Sequence, residues 1–260
     1  MTQPCFPNIL SADEPPPAAI VNQQGTSPFL LLCDHACNSL PHSLGDLGLP
    51  PGEIERHIGW DIGALGVSTH LSAALDATLV HQRYSRLVID CNRSPAVESS
   101  IPQISELTPV PGNMRLDPMA SLARQQAFFF PYHQAIEQVI ESRLARQQPT
   151  IVIAMHSFTP VYKGIPRKWQ IGLLYNRQPV FAKLLAEVLH DEGNLLVGLN
   201  EPYVMTDETD YTLPVHAEQR GLPYVGIEIR QDLIGDAYGQ QAWAERLGRL
   251  LPIACQRLGI

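Results

Sequence analysis

The chain has 260 residues, 45% apolar and 17% charged, with a formal net charge of −8. That length accommodates one large α/β domain with a well-buried core, and the composition excludes wholesale disorder. The acid excess and the lack of a basic cluster exclude a nucleic-acid footprint. The lack of any apolar run of about 18 residues excludes a membrane helix, so a small-molecule ligand is expected.

Met1 to Cys5 carry neither a basic flank nor an apolar core, so no secretory signal is expected and the cytoplasm is the simplest compartment. Five cysteines, an odd number without metal-finger spacing, predict no disulfide framework. Residues 1–28 include Pro4, Pro7, Pro15, Pro16, Pro17 and Pro28, a density incompatible with a long helix. An irregular arm is expected there, followed by a single α/β domain over residues 29–260.

The run Phe29-Leu30-Leu31-Leu32-Cys33 reads as a strand buried on both faces, ending at Asp34-His35. A helical start is expected at Glu53, and the spacing of Leu65, Leu71 and Leu75 predicts a helix from Asp61. Residues 77–81 and 87–91 read as strands, the second running into Asn92-Arg93. Four prolines between Ser94 and Gly112 indicate a long loop or lid. Asp117-Pro118 then opens a helix to about Arg146, with a kink or break at Pro131. Residues 150–155 form a strand ending at His156-Ser157. Beyond it come strands at 169–175, 195–197 and 223–229, and helices at 179–192, 213–220 and 238–258. Gly193 and Gly221 close the first two of these helices.

Three strand ends would thus deliver His35, His156 and Arg93 to the edge of the sheet where open α/β folds bind ligands. A divalent metal such as zinc needs about three imidazole or carboxylate ligands. His35 and His156 fit, although either alone could simply bond backbone at a strand end. Asp34, Asn38 and Asp61 are candidates for the third position. Asp61 is preferred, because an acid at a helix mouth can turn inward; it could equally orient a histidine. Glu228 lies on an apolar strand, where an unpartnered carboxylate is costly. Either Arg230 pairs with it, or it is the base that takes a proton from metal-activated water. Arg86, Arg93, Arg167 and Arg230 stand beside strand ends, and their planar forks suit a substrate carboxylate; the bland alternative pairs them with Asp34, Asp90 or Asp232. Ser157 lacks the G-x-S-x-G elbow of a serine hydrolase, and Gly59, Gly63 and Gly66 do not follow a strand as a dinucleotide fingerprint would.

Taken in order, several blocks resemble the N-formylglutamate amidohydrolase family: Asp34-His35-Ala36 with Pro41, His57-x-Gly59-Trp60-Asp61-x-Gly63-Ala64, Ser85-Arg86-Leu87-Val88-Ile89-Asp90-x-Asn92-Arg93, His156-Ser157-Phe158 and Glu228-Ile229-Arg230-Gln231-Asp232. The resemblance implies a three-layer α/β/α sandwich with a mixed, mostly parallel sheet, similar to the zinc carboxypeptidases. It also implies hydrolysis of the N-acyl amide, most naturally formyl, of an acidic amino acid such as glutamate. On this likeness His35 is the first metal ligand, His156 the later one and Glu228 the acid and base. Asn38 stands where the peptidases have a glutamate ligand, and Asp61 is taken as the third. Arg93, with Arg86 or Arg230 and beside Asn92, would hold the substrate carboxylate. Alternatives are a hydrolase of another linear amide on this fold and a non-catalytic protein that binds acidic ligands.

Overall fold

The computed structural model describes residues 8–260; Met1 to Pro7, with Cys5 and the segment read for a leader, lie outside the described residues. Among the described residues, seven strands build one sheet: β1 (Ala18–Val21), β2 (Phe29–Cys33), β3 (Thr78–Gln82), β4 (Ile151–Phe158), β5 (Ile171–Leu174), β6 (Val197–Leu199) and β7 (Tyr224–Arg230). Their spatial order is β1-β3-β2-β4-β7-β5-β6. β2 runs parallel to β3 and β4, β4 to β7, and β5 to β6, while β1/β3 and β7/β5 are antiparallel.

Helices cover both faces: α1 (Ala64–Leu75), α2 (Pro118–Arg124), α3 (Phe130–Ala145), α4 (Val180–Asp191), α5 (Thr212–His216) and α6 (Ala237–Leu258). Side chains alternate faces along a strand, so the apolar runs divide between two cores. Leu31, Ile153 and Ile227 pack with α1, α4 and α6; Leu30, Val152 and Tyr224 pack with α3 and α5. This is the expected three-layer sandwich around a mixed, mostly parallel sheet. No described helix is long and apolar enough to cross a membrane. Cys33, Cys37, Cys91 and Cys255 are all free thiols.

Three local expectations are corrected. Within the proline-rich arm, Ala18–Val21 forms an edge strand against β3, directly after the last of three prolines. Residues after Glu53 make successive turns instead of a helix, closed by bonds such as Arg56 N–H to Glu53 O and Gly59 N–H to Arg56 O. Residues 87–91 are buried but form no strand. Their carbonyls are taken by side chains in place of a neighbouring strand: Asn113 Nδ2 donates to Leu87 O at 2.9 Å and Arg124 Nη1 to Val88 O at 2.9 Å. With those acceptors satisfied, the segment needs no ladder.

The long helix predicted from Asp117 starts as expected, with the Asp117 carboxylate accepting the Met119 N–H at 2.7 Å. It is interrupted just before Pro131 by a π turn at Gln125–Phe129, then resumes as α3. Proline has no N–H to give, and the wider turn accommodates it.

Candidate active site

β2 and β4 are neighbours in the sheet, and the chain leaves β2 toward β3 on one side while β4 lies on the other. Crevices at such a switch point are where α/β sheets place ligands. His35 stands two residues past the end of β2, and His156 lies near the end of β4. In the parallel β4/β7 pair His156 is registered opposite Glu228, so both fall on the same face. Gly172 on β5 lies beside Glu228, and a Cβ there would meet the carbonyl of Glu201 at 2.0 Å, so only glycine fits.

Asp61 is brought inward by the turn before α1. Its N–H donates to His35 O at 2.9 Å, fastening that turn to the strand end. Gly63, the residue before α1, has φ +81°, and a Cβ there would collide with Ile234 O at 2.0 Å. Ser157 Oγ donates to Ile62 O at 2.8 Å, so this serine anchors the Asp61 segment.

The imidazoles converge on one carboxylate oxygen. Asp61 Oδ2 lies 2.9 Å from His156 Nδ1 and 3.3 Å from His35 Nδ1, and the two rings stand 5.2 Å apart. Behind them lie two further acids: Asp90 Oδ1 is 2.7 Å from His35 Nε2, and Asp34 Oδ2 is 3.5 Å from His156 Nε2. Tyr132 and Thr212 hydroxyls donate to Asp34 Oδ1 at 2.9 and 2.8 Å, fixing its orientation. Glu228 is buried, and its Oε2 has no hydrogen-bond partner among the described residues.

Charge follows this geometry. Burial opposes protonation of His35, as does Arg86, yet Asp90 and Asp61 outweigh both and raise its pKa. His156 is also penalised by burial, but Asp34 and Asp61 lift it well above the ordinary imidazole range. Asp61 is buried, and the two histidines still hold its carboxyl far below the usual range. Burial pushes Glu228 up to about 7 against the pull of His156, and the charges of Asp61 and Asp210 add to the rise.

The seven residues His35, Asp61, Arg86, Asn92, Arg93, His156 and Glu228 line one cavity of about 590 Å³. Of the arginines, Arg86 is spoken for: its guanidinium reaches Asp90 at 2.6 Å and Asp61 at 3.3 Å. Among the described residues Arg93 makes no ion pair and bonds only the Asn92 carbonyl, at 3.3 Å. Asn92 is turned into the wall, its Oδ1 accepting the N–H groups of Tyr211 and Thr212 and its Nδ2 donating to Asp210. Arg230 is not brought to the cavity. It pairs with Asp232 at 2.8 Å and makes no bond to Glu228, the structural alternative its sequence neighbours allowed. Asn38 lies outside the cluster too. Asp210, Tyr203 and Tyr162 also line the cavity; isolated polar and aromatic residues carry no sequence pattern to expose them.

The donor set fits a divalent cation. His35, Asp61 and His156 each offer one ligand atom, all within 4.8 Å of one another. Asp34, Asp61, Asp90 and Glu228 are all buried carboxylates, and Arg86 pairs with only two of them, Asp61 and Asp90. With neutral imidazoles the cluster holds an excess of negative charge that a dication would offset.

A gene product of Agrobacterium tumefaciens superposes with a TM-score of 0.94 at 37% identity, covering 97% of this chain and 100% of that one. N-formylglutamate amidohydrolase from Ralstonia eutropha shares the fold, with a TM-score of 0.68 at 18% identity over 94% of this chain and 99% of its own. No functionally curated protein matches by sequence. The model of the N-formylglutamate amidohydrolase family matches residues 27–235, from the start of β2 to beyond Glu228. With that match spanning most of the chain, the protein is an amidohydrolase belonging to the N-formylglutamate amidohydrolase family.

Proposed function

We propose that the chain hydrolyses the N-acyl amide of an acidic amino acid, N-formylglutamate being the reference case, with a divalent cation, zinc by its donor set, held by His35, Asp61 and His156. When bound, such a cation supplies Lewis acidity, polarising the amide carbonyl and acidifying water. Glu228 sits beside the triad with a free carboxylate oxygen and a pKa near 7. A group so poised can accept a proton in one step and return it to the departing amine in the next. Asp90 orients His35 through its far nitrogen, as carboxylates behind ligating histidines generally do, and the Asp34 carboxylate lies 3.5 Å from the far nitrogen of His156. Arg93, the cavity arginine without an acid partner, is assigned the substrate carboxylate. Arg86 serves to hold Asp61 and Asp90 in place.

The observation that carries this reading is the convergence of His35, Asp61 and His156 within 4.8 Å, beside the unpartnered Glu228 carboxylate. The deciding experiment follows formate release from N-formylglutamate by purified protein, before and after chelation and zinc return. Activity that disappears with the metal and returns with it supports the proposal. Full activity in metal-free protein sinks it.

A further inference from the structure

The cavity has two kinds of wall. Its floor is polar, made by the His-Asp-His cluster, Glu228 and Arg93. Its mouth carries, among polar residues such as Ser105 and Glu106, large apolar side chains that no described residue covers: Ile104 is 61% exposed, Ile165 69% and Val204 60%. Ile104, Tyr162, Tyr203 and Val204 line the same cavity as the catalytic cluster. Ile165 is registered opposite Tyr162 in the Val161–Tyr162/Ile165–Pro166 hairpin, and directly opposed residues share a face. Scattered apolar residues on a surface need no explanation, but several lining the mouth of one reaction cavity do.

The rim is also fixed in position. Arg167 is stacked between Tyr162 and Tyr203, 4.6 Å from each ring, and donates to the Tyr203 hydroxyl at 2.7 Å. Glu106, at the tip of the Ile104–Ser105/Thr108–Pro109 hairpin, accepts from Lys163 N–H at 3.4 Å and from Arg56 at 2.7 Å. The two hairpins are therefore tied to each other across the mouth. A cavity of about 590 Å³ lies within the range of about 300–1,000 Å³ that encloses drug-sized ligands. A formyl group reaching the floor would leave the apolar rim bare.

We infer that the acyl half of the natural substrate is an extended apolar chain that lies along this rim, with the amino-acid carboxylate held at Arg93. The inference rests on the amide-hydrolase reading above and names its substrate class: N-acyl amino acids with aliphatic acyl groups of several carbons. Polar floor and apolar rim are continuous within one cavity, which matches a ligand with one charged and one greasy end.

The test measures kcat/KM of the zinc-loaded full chain for the formyl, acetyl, butanoyl, hexanoyl and octanoyl amides of glutamate, and for N-formylglutamyl-leucine, which places the apolar group on the other side of the scissile bond. The inference expects a rise of about two- to fourfold per added methylene, from the burial of each CH₂. It also expects Ile165→Ser and Val204→Ser to flatten that rise. Calorimetry of N-octanoylglutamate on the Glu228→Gln variant should show the same preference in binding alone. A flat or falling profile from formyl upward overturns the inference while leaving the deformylase reading intact, as does a gain only with the leucine extension. So does a dimer in sedimentation that the rim variants dissociate without changing the profile, since the rim then belongs to a second copy. If no amide in the series is cleaved, the N-acyl amino acid reading proposed above falls and takes this inference with it.

Discussion

Two buried histidine pairs lie on the same side of the sheet and look alike in outline, with ring centroids 5.2 Å apart for His35/His156 and 5.1 Å for His133/His216. Their surroundings make them opposites. The first pair is tilted by 55° and turned toward Asp34, Asp61 and Asp90. The second is stacked nearly parallel, His133 Nδ1 meeting His216 Nε2 at 2.8 Å and His133 Nε2 meeting the Cys91 carbonyl at 2.8 Å. Burial depresses His133 to about 4 and His216 to about 3, the latter helped by its partner and by Arg220. Carboxylates within reach convert a pair of imidazoles from neutral packing into a seat for positive charge. Proximity of histidines alone does not make a metal site.

The sharpest way to break this contrast is His156→Ala, which should lower activity by about 10,000-fold or more out of the acceleration typical of enzymes and remove zinc from the purified protein. An equal loss from a substitution at His216, with zinc retained, would show that the wrong pair had been assigned. Glu228→Gln is expected to cost about 10²- to 10⁴-fold in kcat with metal content unchanged, the range for removing a general acid–base. Steady-state kinetics alongside metal analysis separates these two variants.

The His133/His216 pair should act on stability. Its folded pKa values lie below the unfolded value near 6.5, so the unfolded state binds more protons as the pH falls below about 6.5. Stability is therefore full above that pH and is lost toward pH 4, by roughly 3 kcal/mol for His133 alone. Denaturant titrations at successive pH values would read this, and His216→Gln should flatten the slope; an unchanged slope would mean the pair is not held neutral. The smallest expected effect sharpens the first pair: Asp90→Asn should cost about 10- to 100-fold in metal affinity or activity, as for other outer carboxylates behind a ligating histidine. Competition with a chromogenic chelator would measure it.

Much of this arrangement is legible in the residues because apolar runs that stop at a polar pair announce buried strands, and β2 and β4 obey that grammar. The ends of β2 and β4 point to His35 and His156 without any knowledge of the turns between them, while Glu228 stands out as a carboxylate inside an apolar strand. Asp61 was harder to place, since its direction depends on Gly63 and on the Ser157 latch, contacts between segments distant in sequence. Residues 87–91 misled for the converse reason. They are as apolar and buried as a strand, but Asn113 and Arg124, far along the chain, supply the bonds a strand would have provided. Arg230 shares a strand with Glu228 and reads from the sequence as a substrate arginine. Nearby Asp232 captures it first.

The π turn at Gln125–Phe129 carries a consequence for engineering. Because each residue of regular helix turns the chain by about 100°, the wide turn sets the rotational phase of everything that follows it, including Tyr132, whose hydroxyl steadies Asp34. Deleting one residue from that turn would give a better-wound helix whose phenol points elsewhere. The protein would gain regularity and lose the hydroxyl that holds Asp34, so the irregular winding aims a side chain some distance away.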